Sequence, residues 1–275
     1  MCGIVGILGK GDVAGALVEG LRRLEYRGYD SAGVCTLDHG RLERRRAEGK
    51  LANLEDRLKS EPLAGHVGIA HTRWATHGRP NETNAHPHIV GGVAVVHNGI
   101  IENFRPLREE LEAEGRRFES ETDTEVVGHL VARELEAGRS PEEAVAAVLP
   151  RLQGAFALAL LFEQDDDLLI GARLGAPLTV GFGDGENYLG SDALALAGLT
   201  QTIAHLEEGD WAVVRRASVR IHDRDNRPVE RPRVASGLTG ALVEKGDYAH
   251  FMEKEIHEQP LVVAQTLQSY LKPLS

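Results

Sequence analysis

Cys2 stands second in a chain of 275 residues. An initiator Met before so small a residue is normally removed, which would leave Cys2 first in the chain. Its thiol would then lie beside a free α-amine with a pKa of about 7.7–8.0, suited to act as a base at neutral pH. A thiol of pKa about 8.5 is already a few per cent thiolate at pH 7 and strongly nucleophilic. One residue could therefore supply both nucleophile and base. A cysteine at position two can equally be an accident of sequence, and Gly3, Gly6 and the apolar stretch around them favour the chemical reading.

An acyl-transfer nucleophile needs donors aimed at the oxyanion that develops during attack. His97-Asn98-Gly99 closes an apolar run, where an amide side chain and a glycine N–H can point the same way, although Asn-Gly also makes ordinary turns. A substrate carrying an α-carboxylate and an α-amine needs one fixed cation and one fixed anion. Arg73 and Asp123 are candidates, and each could also be a plain surface or capping residue. Five histidines, His71, His77, His86, His88 and His97, invite a metal reading. None has His-Glu-x-x-His or paired-Cys spacing, so no metal site is assigned. Cys35, inside an apolar run, reads as a small core residue. No phosphate- or dinucleotide-binding glycine pattern occurs, and no cofactor is called for.

The elements that must position these residues follow from patterning. A net charge of −11 argues against nucleic acid as the main partner, and two cysteines fit a reducing compartment rather than a disulfide framework. Hydrophobic residues at 42 % and charged residues at 27 % exclude general disorder. The longest apolar run, Gly154–Phe162, is far shorter than the roughly 20 residues of a membrane-spanning helix, and no signal peptide is evident, so a cytoplasmic protein without a membrane partner is expected.

Cys2–Leu8, Ala32–Leu37, Val67–Thr72 and Val93–Asn98 read as strands. A loop of about 20 residues, a length usually reserved for function, separates the last two. Asp12 is expected to cap a first helix, residues 51–58 to form a second, and Asn103 to cap a third that ends at Gly115. Thr122 and Glu125 match a capping box that would place Asp123 at the first helical position. Ser140-Pro141-Glu142-Glu143 starts another helix. Seven short strands follow between Ala155 and His222, a loop spans 235–248, and a helix from His250 to Leu271 is broken at Pro260. The charge run Arg41, Arg44, Arg45 and Arg46 reads as a solvated face. Strand pairs, then helices, then more strands predict an α+β layered sandwich.

The ordered motifs are more specific than any one residue. They are Cys2-Gly3-Ile4-Val5-Gly6, Glu25-Tyr26-Arg27-Gly28-Tyr29-Asp30-Ser31-Ala32-Gly33, and His71-Thr72-Arg73-Trp74-Ala75-Thr76-His77-Gly78. Asn84-Ala85-His86-Pro87-His88, Val96-His97-Asn98-Gly99 and Ser120-Glu121-Thr122-Asp123-Thr124-Glu125 complete the set. Together with the segment from His250 to Pro260, they resemble the glutaminase domain of the glutamine–fructose-6-phosphate aminotransferase family over essentially the whole chain.

The resemblance implies a class II glutamine amidotransferase with the N-terminal-nucleophile hydrolase fold, a four-layer α-β-β-α sandwich. It implies that Cys2 attacks the glutamine side-chain amide, with Asn98 and the Gly99 N–H as oxyanion hole. Arg73 would bind the α-carboxylate and Asp123 the α-amine of L-glutamine. Thr76 and His77 would belong to a closing loop, Trp74 to an ammonia gate, and Arg27 and His86 to supporting positions.

It further implies a glutaminase domain at 2–235 and, at 236–275, a linker and C-terminal helical segment leading to sugar-phosphate isomerase domains that receive the ammonia. Those domains have no room in 275 residues, so the chain is expected to be part of a larger synthase or a stand-alone relative. Other readings are a glutaminase of another class II pathway and a non-catalytic glutamine-sensing module. A homo-oligomer is allowed by the sequence and not specified by it.

Overall fold

Alternating apolar runs build two antiparallel sheets in the first of two compact units, Met1–Leu238 and Thr239–Ser275. The structure is a computed structural model and describes residues 2–237 and 248–271. One sheet contains β1 (Gly3–Leu8), β2 (Ser31–Asp38), β3 (Arg41–Glu48) and β4 (Val67–Arg73), with β9 (Thr179–Phe182), β10 (Asn187–Gly190), β11 (Thr202–His205) and β15 (Val234–Ala235). Its strand order is β15-β11-β9-β10-β1-β4-β2-β3. The other contains β5 (His88–Val90), β6 (Val93–Ile101), β7 (Gly154–Phe162), β8 (Asp165–Leu174), β12 (Trp211–Val214), β13 (Val219–His222) and β14 (Pro228–Val229). Here the order is β14-β13-β12-β8-β7-β6-β5.

The central strands of each sheet are apolar on both faces, and those faces are covered. Ile4, Leu8, Cys35, Leu37, Val67 and Ile69 of the first sheet meet Ala94, Val96, Ala157, Ala159 and Leu161 of the second, and all of these are buried. Behind the first sheet pack α1 (Ala14–Arg22), α2 (Leu51–Ser60) and the short α6 (Ala193–Leu196). Behind the second pack α3 (Phe104–Ala113), α4 (Glu125–Glu136) and α5 (Pro141–Val148). The result is the four-layer α-β-β-α sandwich. Burying each of the Ile, Leu and Val side chains contributes about 1.5–3 kcal/mol, so a polar residue at an inward position persists only if it is bonded.

Several local expectations are corrected. Asp12 does not cap α1; its carboxylate accepts the Gly65 N–H at 3.0 Å and so ties the turn before β4 to the helix start. Asn103 does not cap α3; its amide bridges Arg151 and Gln153. Thr122 and Glu125 do not form a capping box. Glu125 is itself the first residue of α4, and its carboxylate reaches back to the Glu119 and Ser120 N–H groups.

Asp123 therefore precedes the helix. The arginine run is the edge strand β3, paired along its length with β2. Of its arginines, Arg46 is buried and donates to the carbonyls of Thr83 and Ala85. The Ser140 capping box is present, with both reciprocal bonds.

In the second unit, α7 (Phe251–Leu271) runs on through Pro260 where a break was expected; a proline deletes one helical N–H bond, and the rest of the ladder carries the helix across. The loop expected over 235–248 lies, from 238 to 247, outside the described residues. Among the described residues no helix is long and apolar enough to cross a membrane.

Candidate active site

Period-two alternation delivers the site. Val67 and Ile69 on β4 point between the sheets, so His71 and Arg73 at the end of the same strand do too. Ala94 and Val96 on β6 do the same, which aims Asn98 inward from the other sheet. Ile4 sets the same face for β1, and Cys2 precedes that strand by one step. The dry inter-sheet layer thus turns polar at one end, where Cys2, His71, Arg73 and Asn98 meet.

Cys2 is partly buried. Its sulfur accepts the Trp74 backbone N–H at 3.2 Å, and Asn98 Nδ2 donates to the Cys2 carbonyl at 3.2 Å. Burial pushes the Cys2 thiol up, partly offset by the Trp74 N–H and Arg73. The Trp74 turn is fixed in its turn by Asp30, whose carboxylate accepts the Ala75 N–H at 2.6 Å. Trp74 is 53 % exposed, and its ring lies against Gly28.

Gly99 follows Asn98 with φ at +120°, and a Cβ there would lie 2.0 Å from the Ala155 carbonyl oxygen. Only glycine fits that position. Gly33 plays a comparable part across the sheet, because a Cβ on it would sit 2.2 Å from the His86 carbonyl oxygen. Its missing side chain lets the 80s loop lie down on β2.

Arg73 is buried, and its guanidinium donates to the carbonyls of His77, Gly78 and Arg79, folding the following loop around itself. Burial lowers its pKa, with Asp30, Cys2 and Asp123 acting in the opposite direction. Asp123 is buried as well; its Oδ2 accepts the Ile101 N–H at 2.8 Å and stands 3.8 Å from His97 Nδ1. Thr76 is exposed on the Arg73 loop, and the His77 ring meets Phe104 edge-on at 4.9 Å.

Two residues are placed differently from the rest. The Arg27 guanidinium pairs with Asp192, the residue that caps α6, and His86 lies deeper, with Nε2 3.0 Å from the Thr124 hydroxyl. Neither is in hydrogen-bond contact with Cys2. Behind the site the buried histidines are held neutral by burial: His71 is pushed down to about 3, His86 well below its ordinary value, and His88 and His97 downward. Among the described residues no group of three or more His, Cys, Asp or Glu could hold a metal ion.

Motif reading alone left His71, Asp30, Thr124 and Ser191 without roles. Ser191 accepts the Ile4 N–H and so anchors the start of β1 beside Cys2. The signal that could have found His71 is the alternation itself, since Val67, Ile69, His71 and Arg73 must share one face.

Residues 71–198 match the family model of the glutamine amidotransferase domain. The chain is 66 % identical over 274 residues to the glutamine–fructose-6-phosphate aminotransferase [isomerizing] of Zymomonas mobilis, a match covering all of this chain and 45 % of that protein. It is 66 % identical over 271 residues to the enzyme of the same name from Brucella suis, covering 98 % of this chain and again 45 % of the relative. The chain thus spans under half the length of these relatives.

Among solved structures, the glutamine phosphoribosylpyrophosphate amidotransferase of B. subtilis superposes with a TM-score of 0.72 at 25 % identity, over 81 % of this chain and 49 % of that one. The allosteric regulatory enzyme of purine biosynthesis gives 0.69 at 26 % identity, with the same coverage. Residues 71–198 thus carry a glutamine amidotransferase domain, and over nearly its whole length the chain is similar to glutamine–fructose-6-phosphate aminotransferases.

Proposed function

We propose that this chain hydrolyses the side-chain amide of L-glutamine through a γ-glutamyl thioester on Cys2, and that the ammonia serves the conversion of fructose 6-phosphate to glucosamine 6-phosphate by isomerase domains joined to it. The observation that carries this reading is the pairing at the polar end of the sandwich. The Cys2 sulfur is held by the Trp74 N–H, while the amide of Asn98 sits against the carbonyl of the same cysteine.

With Met1 removed, the Cys2 amine takes the thiol proton as sulfur attacks the amide carbon. One N–H of the Asn98 side chain and the Gly99 backbone N–H stabilise the oxyanion, and collapse of the intermediate returns the proton to the departing ammonia. Water then adds to the thioester, the amine again holding the proton, and glutamate leaves with the thiol restored.

Arg73 and Asp123 supply the cation and anion for the two charged ends of glutamine. Both are buried, which makes charge-assisted contacts with the substrate stronger than on an open surface. Thr76 and His77 ride on the loop that Arg73 organises and close over the substrate; Trp74 gates the exit for ammonia. Arg27 and His86 act as supports, through Asp192 and Thr124. The catalytic domain is assigned to 2–235 and the linker to 236–275.

A reducing cytoplasm suits a reactive free thiol, and the charge of −11 disfavours nucleic acid as a partner. A homo-oligomer is compatible with this scheme. The test is glutamate release by the purified chain. Wild type should release glutamate and ammonia in equal amounts, and Cys2→Ala should release neither. Turnover by Cys2→Ala at the wild-type rate would refute the scheme.

A further inference from the structure

His71 has no part in the chemistry above, yet it is fully buried at an inward position and bonded across the gap between the two sheets. Its Nε2 lies 3.0 Å from Asn98 Oδ1. The direction of this bond follows from Cys2. The carbonyl oxygen of Cys2 can only accept, so the Asn98 atom 3.2 Å from it is Nδ2, the donor. Oδ1 then faces His71, and because an amide oxygen can only accept, His71 Nε2 carries the proton. A half-turn of the Asn98 amide would set oxygen against oxygen at Cys2 and force the His71 proton onto Nδ1, where the buried N–H has no partner.

We infer that His71 is the positioning residue that fixes the rotamer of Asn98, so that the Asn98 amide presents its N–H side, and never its oxygen, to the charge developing beside Cys2. This rests on the reading of Cys2 as nucleophile and Asn98 as oxyanion donor. The physical need is preorganisation: an amide free to turn would spend part of its time aiming a partial negative charge at the oxyanion.

The ring of His71 is itself held. His86 packs on it with ring centroids 4.3 Å apart, and the Thr124 hydroxyl lies 3.0 Å from both His86 Nε2 and His97 Nδ1. The charged and titratable groups around His71 are Arg73 on its own strand, His97 on β6 and His86 on the loop before β5. Among the described residues no acid faces it, and its Nδ1 has no hydrogen-bond partner, so the bond to Asn98 Oδ1 keeps the proton on Nε2.

The experiment is a double-mutant cycle on the full chain, read as kcat and KM for glutamine hydrolysis. His71→Phe should lower kcat about 10- to 100-fold, less than deletion of the donor itself, with KM changed less than about threefold. In an Asn98→Ala background the same substitution should cost almost nothing more. His71→Gln, whose side-chain amide can also donate to Asn98 Oδ1, should recover most of the lost rate.

Binding supplies a readout that a fold defect would not imitate. The aldehyde analogue of glutamine, which adds the Cys2 thiol to give a tetrahedral oxyanion, should bind more weakly to His71→Phe in proportion to the loss in kcat. Glutamate, which forms no oxyanion, should bind as before. Wild-type kcat in His71→Phe, or an equal loss in the Asn98→Ala background, would overturn the role of His71 while leaving Cys2 in place. Turnover by Cys2→Ala would instead remove the reading on which it rests.

Discussion

The carboxylate of Asp123 accepts the backbone N–H of Ile101 at 2.8 Å, and Ile101 stands two residues beyond Gly99 on the same strand. The anion assigned to the substrate amine is thus fastened to the strand that bears Asn98 and Gly99. Two consequences of substitution can be separated on that basis. Asp123→Asn keeps an oxygen for the Ile101 N–H and loses the charge, so KM for glutamine should rise about 10- to 100-fold at nearly unchanged stability. Asp123→Ala should add a loss of about 1–3 kcal/mol in urea unfolding, because it leaves the buried Ile101 N–H unpaired. An unchanged KM in Asp123→Asn would contradict the clamp.

Gly99→Ala should fail to fold or lose well over about 2 kcal/mol, since the residue combines φ +120° with an Ala155 oxygen 2.0 Å from the new Cβ. Gly115→Ala is the control: φ is +89° there, but nothing lies within 4 Å of the added carbon. It should cost about 1 kcal/mol from strain alone. Equal losses in the two variants would show that the close approach of β7 to Gly99 does not matter.

Acid should destabilise the fold through its buried histidines. Burial depresses the folded-state pKa of His71 to about 3 and lowers those of His86, His88 and His97, whereas an unfolded histidine titrates near 6.5. Below that pH the unfolded chain takes up protons that the folded chain refuses, so stability falls as pH falls, by up to about 1.4 kcal/mol per pH unit for each such histidine. Glu125, whose pKa is lowered against its burial by the nearby His129 ring and by bonds from Ser120 and the Glu119 N–H, extends the loss to lower pH. Urea midpoints measured from pH 7 to pH 5 should drop steadily. A flat profile would mean that these rings are protonated in the folded state.

Asp30→Ala should loosen the turn that offers the Trp74 N–H to Cys2, since the Ala75 N–H is bonded to Asp30 at 2.6 Å. The expected outcome is a reduced kcat with faster amide exchange at Ala75. Exchange at the wild-type rate would place the rigidity of the turn elsewhere.

The sequence made the apolar strands legible because Val67–Thr72 and Val93–Asn98 are continuous buried runs, and it placed Arg73 and Asn98 at their ends. It did not disclose β3, whose period-two pattern is hidden by a run of mostly charged residues of both signs and whose Arg46 is a strut to Thr83 and Ala85. It also misread Thr122 and Glu125. The spacing of a capping box was present, but Glu125 satisfies the Glu119 and Ser120 N–H groups, and those bonds depend on how the preceding loop folds. The histidines were visible as a group and uninformative as one. Only the layering of His71, His86 and Thr124 behind Asn98 separates a polar support from a metal site, and that layering is tertiary.

The most direct measurement is covalent trapping. The chain is treated with a glutamine analogue bearing an electrophilic carbon in place of the side-chain amide, followed by intact and peptide mass analysis. One adduct is expected, on Cys2, in a chain that has lost Met1. Cys35 should stay unmodified, since it is fully buried and its thiol is pushed up to about 12. An active preparation that retains Met1, or full inactivation with the label anywhere but Cys2, would contradict the N-terminal nucleophile.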